Sequence, residues 1–194
     1  MFGTKTTMLG TRVGAILVVL GIGIATGATA REIVPFSGEA QPGTVVVKTQ
    51  ERRLYLVLDD GTAVRYPVAV GKPGKQWEGA TRVAGKHVSP AWSPPEEVRL
   101  DNPQLPDVIP GGSPRNPMGP RALTLAGGEY AIHGTNRRNS IGTFASYGCI
   151  RMYNEDILDL FERVQVGTPV VVIREPPRHV TNGRGANRLQ PKGS

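Results

Sequence analysis

Thr44-Val45-Val46-Val47-Lys48-Thr49, Arg53-Leu54-Tyr55-Leu56-Val57-Leu58 and Val64-Arg65-Tyr66-Pro67-Val68-Ala69-Val70 follow one another across short gaps. Each run is rich in β-branched or aromatic residues, which suit a pleated, half-buried surface better than a helix. Asp59-Asp60-Gly61 separates the second run from the third and is a turn signal. Two hairpins in succession imply an antiparallel sheet. Pro67 has no N–H to give to a ladder, so it predicts an edge strand or a bulge.

Downstream, residues 71–120 turn irregular. Prolines and glycines recur at Pro90, Pro94, Pro95, Pro103, Pro106, Pro110, Gly111, Gly112, Pro114, Pro117, Gly119 and Pro120. So long a stretch without periodicity predicts a functional lid or binding wall. Trp77 and Trp92 fall inside it and either line a cleft or pin the loop to the core. Arg121–Leu125 and Tyr130–His133 read as two more strands around Gly127-Gly128. The stretch 154–164 is an amphipathic helix, with Ile157, Leu158, Phe161 and Val164 at helical spacing. Asn154 can cap it, with Glu155 and Asp156 in the first turn. Pro169–Ile173 is a last apolar strand. The expectation is a mainly β domain with one helix and one long Pro/Gly-rich wall loop.

The ends differ from this middle. Lys5 and Arg12, the apolar stretch 13–24 and Ala28-Thr29-Ala30 have the order of a secretory signal peptide over residues 1–30. The alternative is an uncleaved anchor, for which the apolar run is short against the roughly 20 residues of a membrane span. Either reading exports the rest of the chain, to the periplasm or cell envelope. Residues 31–42 read as a linker, 43–173 as the domain, and 174–194 as a basic disordered tail. The formal charge of +7 over 194 residues owes much to the two ends. No nucleic-acid motif accompanies it, so nucleic acid is not an expected partner. A compact monomer is the default expectation.

Cys149 is the one cysteine of the chain, within Ser146-Tyr147-Gly148-Cys149-Ile150-Arg151-Met152. A single cysteine cannot form an internal disulfide, and a free thiol in an oxidising compartment invites damage. It is either a small buried hydrophobe or a nucleophile. Gly148 before it, Ser146 and the nearby His133 favour the nucleophile. His133 is the candidate general base, and the Gly134 carbonyl beside it can orient the imidazole. The backbone N–H groups of Tyr147, Gly148 and Cys149 are candidates for an oxyanion hole. Arg151, two residues past the thiol, suits a substrate carboxylate. Arg137 and Arg138 read as a solvated rim, and His87 and His179 as incidental. Neither metal-ligand spacing nor a phosphate loop is present, so no metal and no cofactor is expected.

Taken in order, Ile132-His133-Gly134-Thr135-Asn136, Ser140-Ile141-Gly142, the Ser146–Met152 run, Asn154 and Asp156 resemble the catalytic domain of L,D-transpeptidases. These are cysteine enzymes that cross-link peptidoglycan. Trp92-Ser93-Pro94-Pro95, Pro110-Gly111-Gly112 and Asn116-Pro117-Met118-Gly119-Pro120-Arg121-Ala122 are also similar to that family. The resemblance runs from about Gly43 to Ile173. It implies a β-sandwich or barrel-like fold, Cys149 as nucleophile and His133 as base, either as a resting ion pair or by proton transfer. It implies that Ser146, Tyr147, Arg151 and Asn154 shape the substrate site. The implied substrates are peptidoglycan tetrapeptide stems, cleaved before the terminal D-Ala. The acceptor would be a second stem, giving a 3-3 cross-link, or an amine of an outer-membrane protein or lipoprotein. Water as acceptor would make it an L,D-carboxypeptidase or hydrolase, and a decayed site would leave a wall-binding module. A redox sensor is disfavoured by the lack of a resolving cysteine. The family also implies acylation by carbapenems. One residue departs from the pattern: Tyr147 stands where the family usually has His.

Overall fold

The computed structural model describes residues 3, 31–128 and 130–174. The expected signal peptide and basic tail therefore lie, apart from Gly3 and Arg174, outside the described residues. The predicted hairpins form from β2 (Val45–Lys48), β3 (Arg53–Val57) and β4 (Thr62–Gly71), with Val47 opposite Leu54 and Leu54 opposite Tyr66. β1 (Glu32–Pro35) runs antiparallel to the first half of β4. Next to β2 lies β10 (Pro169–Ile173), parallel to it and antiparallel to β5 (Gly79–Val88). The sheet continues through β6 (Arg121–Leu125) and β7 (Ala131–His133) to β9 (Ile150–Met152), parallel to β7.

β9 then pairs with the second half of β4, Val68 opposite Met152. This closes the sheet into a barrel-like ring, with β8 (Phe144–Ser146) parallel to the end of β4. Closure removes exposed ladder edges. It works because β4 is ten residues long and serves different partners along its length. Pro67 sits at the changeover, after the last β1 partner at Arg65 and before the first β9 partner at Val68. The Val68 N–H turns to the Arg52 carbonyl at 3.0 Å, so the Pro67 nitrogen faces the gap and costs no ladder bond.

The ring encloses Val45, Leu54, Tyr66, Val68, Leu123, Ile132, Ile150 and Met152, all buried. Helix α2 (Asn154–Arg163) packs Ile157, Leu160 and Phe161 into this core, each worth about 1.5–3 kcal/mol of burial. Leu158, expected on that face, is instead exposed, and Leu160 takes its place.

Four expectations change. The supposed linker contains β1, and Phe36 beside it covers Tyr55 at 5.6 Å between ring centroids. That segment gives the outer face of β3 an apolar cover of its own. The supposed wall loop begins later, because Gly79–Val88 is strand β5; two glycines and two charges concealed it. His87 therefore lies in a ladder, opposite Ala122, with its ring 3.2 Å from Thr124 Oγ1. A second, six-residue helix, α1 (Glu96–Asp101), stands among the prolines of the loop.

Candidate active site

β7 and β9 pair in parallel with Ile132 opposite Ile150 and His133 opposite Arg151. Ile132 and Ile150 point into the core. Side chains alternate along a strand, so Ala131, His133, Cys149 and Arg151 share the opposite face. The topology thus makes His133 and Cys149 diagonal neighbours, a distance that side chains span.

His133 is 4% exposed, and its Nδ1–H donates to the Gly134 carbonyl at 2.7 Å. That partner assigns Nδ1 as the protonated nitrogen and makes Nε2 the ring's basic one. Burial, helped by the Arg151 charge, pushes the imidazole down to about 4, while the carbonyls of Gly134 and Pro117 pull the other way. Burial pushes the Cys149 thiol up, opposed by the Ala131 backbone and by Arg151. Both effects favour a neutral thiol facing a neutral imidazole, not a resting ion pair. Arg151 is itself lowered by burial and eased by the neighbouring thiol group.

The turn before Cys149 is built to one shape. Gly148 has φ +124°, and a Cβ there would overlap the Tyr130 ring. Trp77 stacks on Tyr130, with centroids 4.9 Å apart and planes 8° off parallel. Its Nε1–H donates to the Gly148 carbonyl at 2.9 Å. Ser146, 1% exposed, closes the turn from inside: its hydroxyl donates to the Cys149 carbonyl at 2.6 Å and accepts the Gly148 N–H at 3.1 Å. The expected substrate contact of Ser146 is replaced by this role, and the Gly148 amide is already engaged.

Asn154 does not cap α2. Tyr153 occupies that position, and Asn154 Oδ1 instead accepts the Thr135 N–H at 2.8 Å. It wedges against Gly119 and Gly134, where any Cβ would collide with it. Asn116, 3% exposed, shapes the loop on the same side. Its Nδ2 donates to the carbonyls of Pro90, Ile109 and Pro110, and its Oδ1 accepts the Met118 N–H. Tyr147 donates its hydroxyl to Asp101 of α1, with the Lys72 ammonium 3.8 Å from its ring centre. Arg138 pairs with Glu155 on the rim, and Arg137 is exposed. Tyr130 and Asp101 were not singled out by sequence; Trp77 was read only as lining a cleft or pinning the loop, and Asn116 only as part of a family-like stretch, so none of the four was given a role at the site.

The sequence profile of the YkuD family, described as the L,D-transpeptidase catalytic domain, matches residues 42–172. The chain belongs to this family. Over 155 residues it is 39% identical to "Probable L,D-transpeptidase ErfK/SrfK" of Escherichia coli K12, covering 75% of this chain and 49% of that protein. Over 148 residues it is 37% identical to "Putative L,D-transpeptidase YqjB" of Bacillus subtilis 168, covering 72% of this chain and 77% of that one. The chain spans about half the length of the first of these. Its fold is similar to that of L,D-transpeptidase 3 of Mycobacterium tuberculosis, solved with a faropenem-derived adduct. That match has TM-score 0.51 at 17% identity, over 68% of this chain and 60% of that one. The barrel-like ring with few helices is thus the architecture of an L,D-transpeptidase domain.

Proposed function

We propose that this L,D-transpeptidase domain acts through a Cys149 thioester on peptidoglycan tetrapeptide stems outside the cytoplasm, in the periplasm or envelope. The observation that carries this is the shared face of His133 and Cys149, with Nδ1 of His133 held on Gly134. His133 Nε2 takes the thiol proton as Sγ attacks the carbonyl between the third stem residue and D-Ala. The Arg151 charge favours the thiolate as it forms. The amides of Tyr147 and Cys149 are the donors for the oxyanion, since Gly148 N–H is committed to Ser146. As the C–N bond breaks, His133 returns the proton to the amine of the departing D-Ala. A second amine then attacks the thioester, transferring the acyl group and restoring the thiol. A stem amine gives a 3-3 cross-link; a lysine of an outer-membrane protein or lipoprotein gives a tether.

Intact mass spectrometry after exposure to a carbapenem tests the nucleophile. The wild type gains one adduct mass, and Cys149→Ala gains none. An adduct that persists in Cys149→Ala refutes the assignment.

A further inference from the structure

Arg151 has a neighbour on each side of β9: His133 opposite it on β7 and Ala69 opposite it on β4. Side chains directly opposite one another stand about 4.5–5.5 Å apart at Cβ, so His133 and Arg151 face one small volume. Ala69 is buried and ends at Cβ, which leaves the guanidinium room on that side. Arg151 is half-buried, yet among the described residues its guanidinium has neither a carboxylate partner nor a hydrogen-bond acceptor. Burial presses its pKa down, the Cys149 thiol group eases it, and the Arg137 charge presses it down again. Arg137 comes from the segment after β7, which is tied back over the same strands. The Arg137 N–H donates to Thr135 Oγ1 at 3.0 Å, and the Gly142 N–H donates to the carbonyl of Val68, next to Ala69, at 3.1 Å. Among the described residues no carboxylate pairs with Arg137, whereas Arg138 beside it is paired with Glu155. Two unneutralised guanidiniums beside a buried thiol cost free energy until an anion joins them. The guanidinium fork matches a carboxylate in particular.

We propose that Arg151 and Arg137 together grip the free carboxylate of the departing D-Ala, which makes Arg137 a specificity-determining residue for the acyl donor. The position follows from the strand register. His133 returns a proton to the leaving nitrogen, and the D-Ala carboxylate carbon lies two bonds from that nitrogen. Arg151, directly across from His133, is the cation that this carboxylate meets. One carboxylate against two guanidiniums leaves net positive charge, so the thiolate is still favoured as it forms. A donor ending in an amide brings no anion and leaves both charges uncompensated. This inference deepens the thioester reading above and rests on it.

Two measurements test it. The first needs no turnover: Cys149→Ala is titrated with N-acetyl-D-alanine and with N-acetyl-D-alaninamide while the arginine Nε–H resonances are followed by NMR. The acid is expected to shift Arg151 and Arg137, and the amide to shift neither. The second is acylation of the wild type, Arg137→Gln and Arg137→Lys by disaccharide-tetrapeptides ending in D-Ala or in D-Ala amide. The wild type is expected to prefer the free acid. Arg137→Gln is expected to lose about tenfold of that preference, through slower acylation by the acid alone, and Arg137→Lys to keep most of it. Equal shifts from acid and amide, or none from either, overturn the carboxylate site, as does a wild type that takes both donors alike. A preference unchanged in Arg137→Gln overturns the role of Arg137. No acylation of the wild type by either donor overturns the proposed function instead, and the titration still judges the arginine pair.

Discussion

Burial moves His133 and Cys149 in opposite senses, and both movements remove charge. The imidazole at about 4 is neutral through the physiological range, and the raised thiol holds its proton. A thiolate-specific alkylating agent such as iodoacetamide is therefore expected to react slowly at pH 7 and to accelerate only above the usual thiol range. Acylation by substrate should instead be level across neutral pH and fall on the acid side as His133 is protonated near pH 4. Fast alkylation at pH 6 would reveal a resting ion pair. Trp77 offers a second residue-scale check, because stacking and hydrogen bonding separate in Trp77→Phe. The ring face toward Tyr130 is kept and the N–H to Gly148 is lost. Acylation is expected to fall about tenfold, as about 1–1.5 kcal/mol of turn positioning is lost, with circular dichroism unchanged. A variant that acylates at the wild-type rate would show that the turn holds its shape without Trp77. Cys149, His133 and Gly134 were legible in sequence because they lie in short local motifs. The partners of Trp77 and Asn116 were not, because only the fold brings them near.

Among the elements, α2 carries an unusual feature in its first turn. Asp156 is buried, its carboxylate has no hydrogen-bond donor among the described residues, and the Arg31 guanidinium stands 4.0 Å away. Burial, with Glu155 nearby, pushes it up to about 6 against an ordinary 3.8. A raised carboxylate stabilises the fold while protonated, and that contribution disappears as pH rises through about 6. The gap is about a hundredfold in proton affinity, or roughly 2–3 kcal/mol. Asp156→Asn should therefore gain about 2 kcal/mol relative to wild type between pH 4 and pH 7.5 in urea unfolding. A difference that does not change with pH would contradict this. Elements differed in how far the sequence exposed them. β2, β3, β4 and β10 announced themselves by β-branched runs, and α2 by its apolar stripe. β8 and β9 are three residues each, too short for a period to show. β5 hides behind Gly79, Gly85 and its charges, since its partners β6 and β10, not its own composition, make it a strand.

At the scale of the molecule, ring closure through β4 is what sets β9 beside β7, and so Cys149 beside His133. Neither strand neighbours the other in sequence, and the parallel pairing is invisible to a local reading. On the reading proposed above, this pairing makes a thioester from peptidoglycan stems. The most direct measurement is mass spectrometry of the products after mixing the protein with disaccharide-tetrapeptides, with Cys149→Ala as control. The expected result is loss of D-Ala that requires Cys149, with cross-linked dimers where an acceptor amine is present. Loss of D-Ala that survives in Cys149→Ala, or no reaction of the wild type at all, would contradict it.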